Sequence, residues 1–99
     1  MNFQLSTPSG SEIVAVVDDN IDALVSLEDG RIFAATFFTV DNLRTLMKRY
    51  RNSGECAEGT YIWAVDMIVV ETISVDVIRR TVADLIATGE IESCCMRLR

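Results

Sequence analysis

The segment from Thr60 to Val70, with the sequence TYIWAVDMIVV, constrains the fold more than any other part of the chain. It is rich in β-branched and aromatic residues, and every side chain after Thr60 is apolar except that of Asp66. Because successive side chains of a strand point to opposite faces, a strand formed here would be apolar on both faces. Such a strand is typically covered on both sides. We therefore predict that Thr60–Val70 is the central strand of a sheet.

The length of 99 residues, without an internal repeat or a linker, predicts a single domain spanning residues 1–99. Residues 1–10 are polar and rich in turn formers, which predicts a loose N-terminal arm, although Phe3 and Leu5 would suit a short edge strand. No apolar run approaches the roughly 20 residues of a membrane-spanning helix. Residues 1–10 also lack the features of a secretory signal.

Three cysteines, two of them adjacent, suit reduced thiols better than disulfides, because adjacent residues rarely reach disulfide geometry. We therefore expect a cytoplasmic protein. Fifteen acidic and nine basic residues give a net charge of −6. A field of that sign repels nucleic acid and anionic lipid, so we expect neither nucleic acid nor a membrane as a partner.

The dipeptide Asp29-Gly30 separates two apolar-rich runs and predicts a β-hairpin with a two-residue type I′ loop. This loop would pair Leu27 with Ile32 and would set which side chains share a face. The core face would then carry these residues: Ile21, Ala23, Val25, Leu27, Ile32, Ala34, Thr36 and Phe38. The opposite face would carry three large apolar side chains: Leu24, Phe33 and Phe37.

Capping residues and helical spacing predict two amphipathic helices, one beginning at Val40 after Thr39 and one following Ser74. With strands at Glu12–Val17 and Glu90–Leu98, the predicted element order is β-β-β-α-β-α-β. This order indicates an α+β fold with a four- or five-stranded mixed, mostly antiparallel sheet. Both helices are expected to pack on one face of that sheet.

Two helices on one face leave the other face of the sheet open, and an exposed apolar face is often an interaction surface. The candidate interface residues are Leu24, Phe33, Phe37 and Trp63. They favour a small acidic, non-enzymatic protein-interaction domain that forms a homodimer or binds another protein. A second candidate surface is the basic row Arg44, Lys48 and Arg51, which would suit a phosphate or an acidic partner but also an ordinary solvated helix face.

Asp66 is a carboxylate within an apolar segment, and burial can raise a carboxyl pKa into the range that suits acid–base work. It therefore supports an alternative function, a small-ligand-binding protein or enzyme with a pocket around Asp66, Tyr61 and Trp63. Hydrogen bonds to the backbone or an arginine would explain the same residue without a pocket. The chain contains no histidine, and no second carboxylate lies at a diagnostic spacing, so we assign no catalytic residue and no cofactor.

The pattern Asp18-x-Asn20-x-Asp22 resembles the opening of a calcium-binding loop. Ala23, however, occupies the position at which that loop needs glycine, and the flanking residues are typical of strands rather than helices. We therefore expect a solvated acidic turn and no metal. Cys56 is flanked by Glu55 and Glu58, which disfavour a thiolate, so no nucleophilic cysteine is expected.

In size, acidic charge and predicted fold class, the chain is similar to bacterial immunity proteins, which neutralise basic toxins through charge complementarity. The likeness is confined to these general properties and points to no particular residue. It implies an inhibitor-type binder as one form of the protein-interaction function.

Overall fold

A computed structural model describes all residues from Met1 to Arg99 and shows a five-stranded sheet with four helical segments. The strands are β1 Phe3–Ser6, β2 Asn20–Leu27, β3 Ile32–Thr39, β4 Met67–Val70 and β5 Met96–Arg97. The helical segments are α1 Val40–Ser53, α2 Glu55–Gly59, α3 Val75–Thr88 and α4 Ile91–Cys94. The predicted α+β class is confirmed. No helix is both long and apolar enough to span a membrane.

The central strand of the sheet is β3. One of its edges pairs with β2, which in turn pairs with β1, and both pairings are antiparallel. The other edge is shared by two short strands. β4 runs parallel to Thr36–Thr39, and β5 runs antiparallel to Phe33 and Ala34. The sheet is therefore mixed and mostly antiparallel, as the sequence predicts.

The prediction that Thr60–Val70 forms the central strand is wrong. Only Met67–Val70 joins the sheet, at the shared edge of β3, while Tyr61–Ala64 lie in neither a helix nor a strand. Because β4 runs parallel to β3, an extension of β4 towards Tyr61 would lie beside Phe33–Ala35. That part of the edge pairs with β5, so the apolar segment leaves the sheet.

The predicted hairpin register is also wrong, by one residue. The loop contains three residues, because the N–H of Leu27 donates to the carbonyl of Arg31 at 2.9 Å and Gly30 adopts φ of +95°. A turn followed by a left-handed residue is the common three-residue hairpin, and glycine adopts that conformation without steric cost. Val25 consequently lies opposite Phe33, and the two faces of β3 are exchanged relative to the prediction.

The exchange of faces places Phe33 and Phe37 in the core, where both side chains are fully buried. They do not lie on an open face and are not available as interface residues in the single chain. Leu24 lies on the face opposite the core, as predicted, because the faces of β2 are unchanged. The core combines side chains of the sheet with those of α3, α4 and adjoining residues: Ala23, Val25, Leu27, Phe33, Ala35, Phe37, Val70, Ile73, Ile78, Val82, Ile91 and Cys95.

The two long helices, α1 and α3, begin at the predicted positions. The hydroxyl of Thr39 accepts a hydrogen bond from the N–H of Asn42, and that of Ser74 accepts one from the N–H of Val77, both at 3.1 Å. These side chains satisfy backbone donors that lack a partner in the first helical turn. α3 contributes Ile78 and Val82 to the core, whereas the buried Leu46 of α1 lies outside it.

Two predictions for the N-terminal part of the chain are corrected. Phe3–Ser6 forms β1 along β2, so residues 1–10 are not a loose arm and the edge-strand alternative is confirmed. Glu12–Val17 does not form a strand. It contributes one isolated bridge, in which Val16 and Ile73 exchange two backbone hydrogen bonds of 2.9 Å. The edge of β2 that Glu12–Val17 would have joined is instead paired with β1.

The register of β3 can be tested with alanine substitutions at two neighbouring residues. Phe33→Ala should lower the free energy of unfolding by about 3–5 kcal/mol, because it leaves a cavity in the core. Ile32→Ala should have a clearly smaller effect, because Ile32 is on the opposite face and is only partly buried. Denaturant titration measures both values. A larger loss for Ile32→Ala than for Phe33→Ala would contradict the observed register.

Candidate interaction surface

The exposed apolar side chains of the chain are concentrated before and within β4. Tyr61, Trp63 and Val65 are 49%, 67% and 72% exposed, whereas the alternate residues Ile62 and Ala64 are partly buried. A two-residue alternation of exposure is typical of an extended chain with one face towards the protein, and Tyr61–Ala64 have this form before the turn at Val65 and Asp66. We call Tyr61–Val65 the apolar segment. It presents two large aromatic side chains and a valine to solvent.

The backbone of the apolar segment is unpaired. No backbone hydrogen bond joins it to another element of the chain, and a turn at Val65 and Asp66 follows its first four residues. The first paired group after it is the carbonyl of Asp66, which accepts from the N–H of Thr36 at 3.0 Å. Unpaired backbone groups next to apolar side chains form a template for pairing with another chain unless charges or prolines block them. The apolar segment contains neither.

The segment labelled α2 is an unusual left-handed turn that leads from α1 into the apolar segment. Cys56, Ala57 and Glu58 have φ values of +51°, +49° and +58°, in the left-handed region. This conformation costs roughly 1–2 kcal/mol for each non-glycine residue. Gly59 follows with φ of +79°, and a Cβ atom there would collide with the carbonyl oxygen of Met47. The turn thus holds the start of the apolar segment against the backbone of α1.

A second apolar surface lies on the face of the sheet opposite the core, which we call the outer face. The strand registers place these residues on it: Leu24, Ile32, Ala34, Phe38, Met67, Val69 and Met96. None of them belongs to the core cluster. Val69 and Met96 are 46% and 43% exposed, so the outer face is apolar and partly open along the shared edge of β3.

Asp66 is not brought together with Tyr61 and Trp63. It is partly buried, and its Oδ1 atom accepts a hydrogen bond of 3.0 Å from the hydroxyl of Thr36. The same hydroxyl lies 2.9 Å from Oδ1 of Asp22, and its single proton can serve only one carboxylate at a time. None of the five surface depressions is lined by Asp66, Tyr61 or Trp63, so the proposed pocket is not formed.

The buried thiol of Cys95 lies close to Asp66. Burial raises the pKa of Cys95 to about 12, with further contributions from the neighbouring Cys94 and the charge of Asp66. Cys95 therefore stays protonated at neutral pH, and a protonated thiol is a poor nucleophile and metal ligand. Its role is to fill space in the core, where only 8% of the residue is exposed.

The basic residues Arg44, Lys48 and Arg51 are exposed along α1, as the helical spacing predicts. None of them forms an ion pair, because the three salt bridges of the chain all involve Arg31 or Arg97. The side-chain stem of Arg51 lies against Gly59, next to the apolar segment. The charged patch therefore borders one end of the exposed apolar surface.

The calcium-like pattern at Asp18 has a structural role that the sequence analysis missed. Oδ1 of Asp18 accepts from the side-chain amide of Asn42 at 3.1 Å, and Oδ2 accepts from the hydroxyl of Thr45 at 2.8 Å. The amide of Asn20 donates to Oδ1 of Asn42 at 2.9 Å. These contacts hold the turn before β2 to the first turns of α1. They join residues 22 to 27 positions apart, so no local sequence pattern reveals them.

The link between Asp18 and α1 predicts a pH-dependent contribution to stability. The hydrogen bonds from Thr45 and Asn42 lower the pKa of Asp18, aided by the charge of Arg49. A lowered folded-state pKa stabilises the fold above the unfolded-state value of about 3.9. Asp18→Ala should therefore lower stability at pH 7, and the difference from the unmodified protein should shrink as the pH falls through the folded-state pKa.

Urea titrations between pH 3 and pH 7 measure this difference. Asp84→Ala, which removes an exposed carboxylate without hydrogen bonds in α3, is the matched control and should show a smaller effect at pH 7. A destabilisation by Asp18→Ala that does not change with pH would indicate that the charge of Asp18 has no part in holding α1.

The structure thus places the predicted interface residues in three environments. Leu24 is on the outer face and Trp63 is in the exposed apolar segment, whereas Phe33 and Phe37 belong to the core. The unpaired backbone next to Trp63 was not predicted, since the sequence pattern alone favours a fully paired strand there. Comparison with protein-family models, with characterised proteins and with solved structures found no match to this chain, so its function is inferred from these surfaces alone.

Proposed function

We propose that this chain is a non-enzymatic protein-interaction domain whose binding surface is centred on Trp63. The observation that carries the proposal is the concentration of exposed apolar side chains in one short stretch. Of the eleven large hydrophobic residues that are exposed, four lie between Tyr61 and Val69. Single exposed apolar residues are normal on a protein surface, but a cluster that includes aromatic residues is typical of an interface.

Trp63 is the principal anchor of the proposed surface. Two thirds of this side chain is exposed. Burying the exposed part would remove about 150 Å² from water and would contribute about 4 kcal/mol before the costs of association. Tryptophan is enriched among residues that dominate binding energy, particularly when less critical contacts surround it and exclude water. Tyr61 and Val65 are positioned to provide those surrounding contacts.

Charged residues complete the proposed surface as a polar rim. Arg51 lies beside one end of the apolar segment and Asp66 terminates the other, and neither forms an ion pair within the chain. Rim charges steer partners and set orientation more than they contribute affinity. The surface therefore combines an apolar centre with charges of opposite sign at its two ends, an arrangement that suits a protein partner better than a small molecule.

Trp63→Ala tests the proposed function directly. Partners would be recovered by affinity capture after chemical cross-linking in cells, once with the unmodified protein and once with Trp63→Ala. The proteins captured in the two experiments would then be compared. Dissociation constants measured by sedimentation or titration calorimetry should rise at least tenfold for Trp63→Ala, because truncating an aromatic anchor commonly costs about 2 kcal/mol or more. The free energy of unfolding should change little, since Trp63 is mostly exposed.

Val14→Ala is the matched control, because Val14 is 65% exposed but lies outside the proposed surface. This variant should bind like the unmodified protein. The proposal fails if the protein neither self-associates nor captures another protein in a way that depends on Trp63. It also fails if both alanine variants weaken binding equally.

A further inference from the structure

We infer that the partner of the apolar segment is a second copy of this chain, bound by antiparallel pairing of the two Tyr61–Val65 backbones. This inference rests on the proposed function and specifies its partner and its geometry. The two copies would be related by a two-fold axis that passes beside Trp63. Backbone hydrogen bonds and apolar contacts would then form together, as they do when a strand is added to the edge of a sheet.

The amino-acid composition of the apolar segment is that of a paired strand, whereas its backbone is unpaired, and this contrast supports pairing with a second copy. The segment has the β-branched and aromatic residues of a buried strand, but its backbone is unpaired in the single chain because β5 occupies the adjoining edge of β3. Natural proteins usually protect such edges with charges, prolines or a covering element. No residue from Gly59 to Val65 is charged and none is proline, so this edge carries no such protection.

The alternation of exposure allows only certain registers between two copies. Residues that lie opposite each other in an antiparallel pair point to the same face, so exposed residues must oppose exposed residues. With Trp63 opposite Trp63 of the partner subunit, Tyr61 lies opposite Val65 of the partner subunit. Ile62 then lies opposite Ala64 of the partner subunit. Every opposed pair is apolar, and the segment is complementary to itself, as a two-fold interface requires.

The charges at the two ends of the segment favour a second copy as the partner. The stem of Arg51 lies against Gly59, before the segment, and Asp66 follows it directly. Antiparallel pairing brings the start of one segment beside the end of the other. Arg51 would therefore approach Asp66 of the partner subunit, and the same contact would form twice. Each copy has a net charge of −6. Because Tyr61–Val65 contain no charged residue, pairing of the two segments places no like charges opposite each other.

Complementary charge substitutions test the partner and the register together. Sedimentation velocity would first establish self-association of the unmodified protein, and the fluorescence of the only tryptophan, Trp63, should shift to shorter wavelength as the concentration rises. Val65→Lys and Tyr61→Glu should each weaken self-association at least tenfold. An equimolar mixture of the two variants should form a heterodimer, because the ammonium group introduced in one chain would lie opposite the carboxylate introduced in the other.

Val14→Lys is the matched control, since Val14 is 65% exposed and Val65 is 72% exposed. This variant should self-associate like the unmodified protein. Both segment variants should keep the circular dichroism spectrum and unfolding midpoint of the unmodified protein, because their side chains face solvent. This measurement separates loss of pairing from loss of folding.

The possible results distinguish this inference from the proposed function. A monomeric protein that captures a different protein through Trp63 overturns the pairing of two copies and leaves the interaction function in place. Self-association that survives both single substitutions, or that the mixture does not restore, overturns the pairing of the apolar segments. A monomeric protein that captures nothing through Trp63 overturns both proposals.

Discussion

Two short strands share one edge of β3, and this sharing determines which apolar residues lie outside the sheet. β4 and β5 both pair with that edge, one parallel and one antiparallel, and each occupies only part of it. Because β5 lies beside Phe33 and Ala34, the residues before β4 have no strand to join. A backbone that cannot pair within the sheet must be solvated or must pair elsewhere. The exposed state of Tyr61–Val65 is thus a consequence of where the last strand lies.

The second constraint is the length of the hairpin loop between β2 and β3. A single additional loop residue, permitted by the positive φ of Gly30, moves Phe33 and Phe37 from the outer face into the core. Those two aromatic side chains then pack with Ile78 and Val82 of α3. The outer face keeps smaller or more flexible apolar residues such as Leu24 and Met96. Phe38 remains on the outer face but is also buried, with 7% of the residue exposed. Because all three phenylalanines of the hairpin are buried, the exposed aromatic surface of the protein comes from Tyr61 and Trp63.

Local features were predictable from the sequence, and features that depend on distant parts of the chain were not. The boundaries of α1 and α3 follow from Thr39, Ser74 and the glycines after each helix, which act within a few residues. The hairpin was predictable, but its register was not, because Asp29-Gly30 is compatible with loops of two or three residues. The displacement of Tyr61–Val65 depends on residues 96 and 97, and no pattern near Trp63 reveals it.

The left-handed turn after α1 fixes the start of the apolar segment, which we propose as a binding edge. Its left-handed residues redirect the chain, and Gly59 packs directly on the backbone of α1, so the start of the segment is fixed. The end is fixed by the hydrogen bond between Thr36 and the carbonyl of Asp66. A segment held at both ends loses less conformational entropy on binding than a flexible one. The turn at Cys56–Glu58 therefore sets the direction in which the backbone before Trp63 leaves α1.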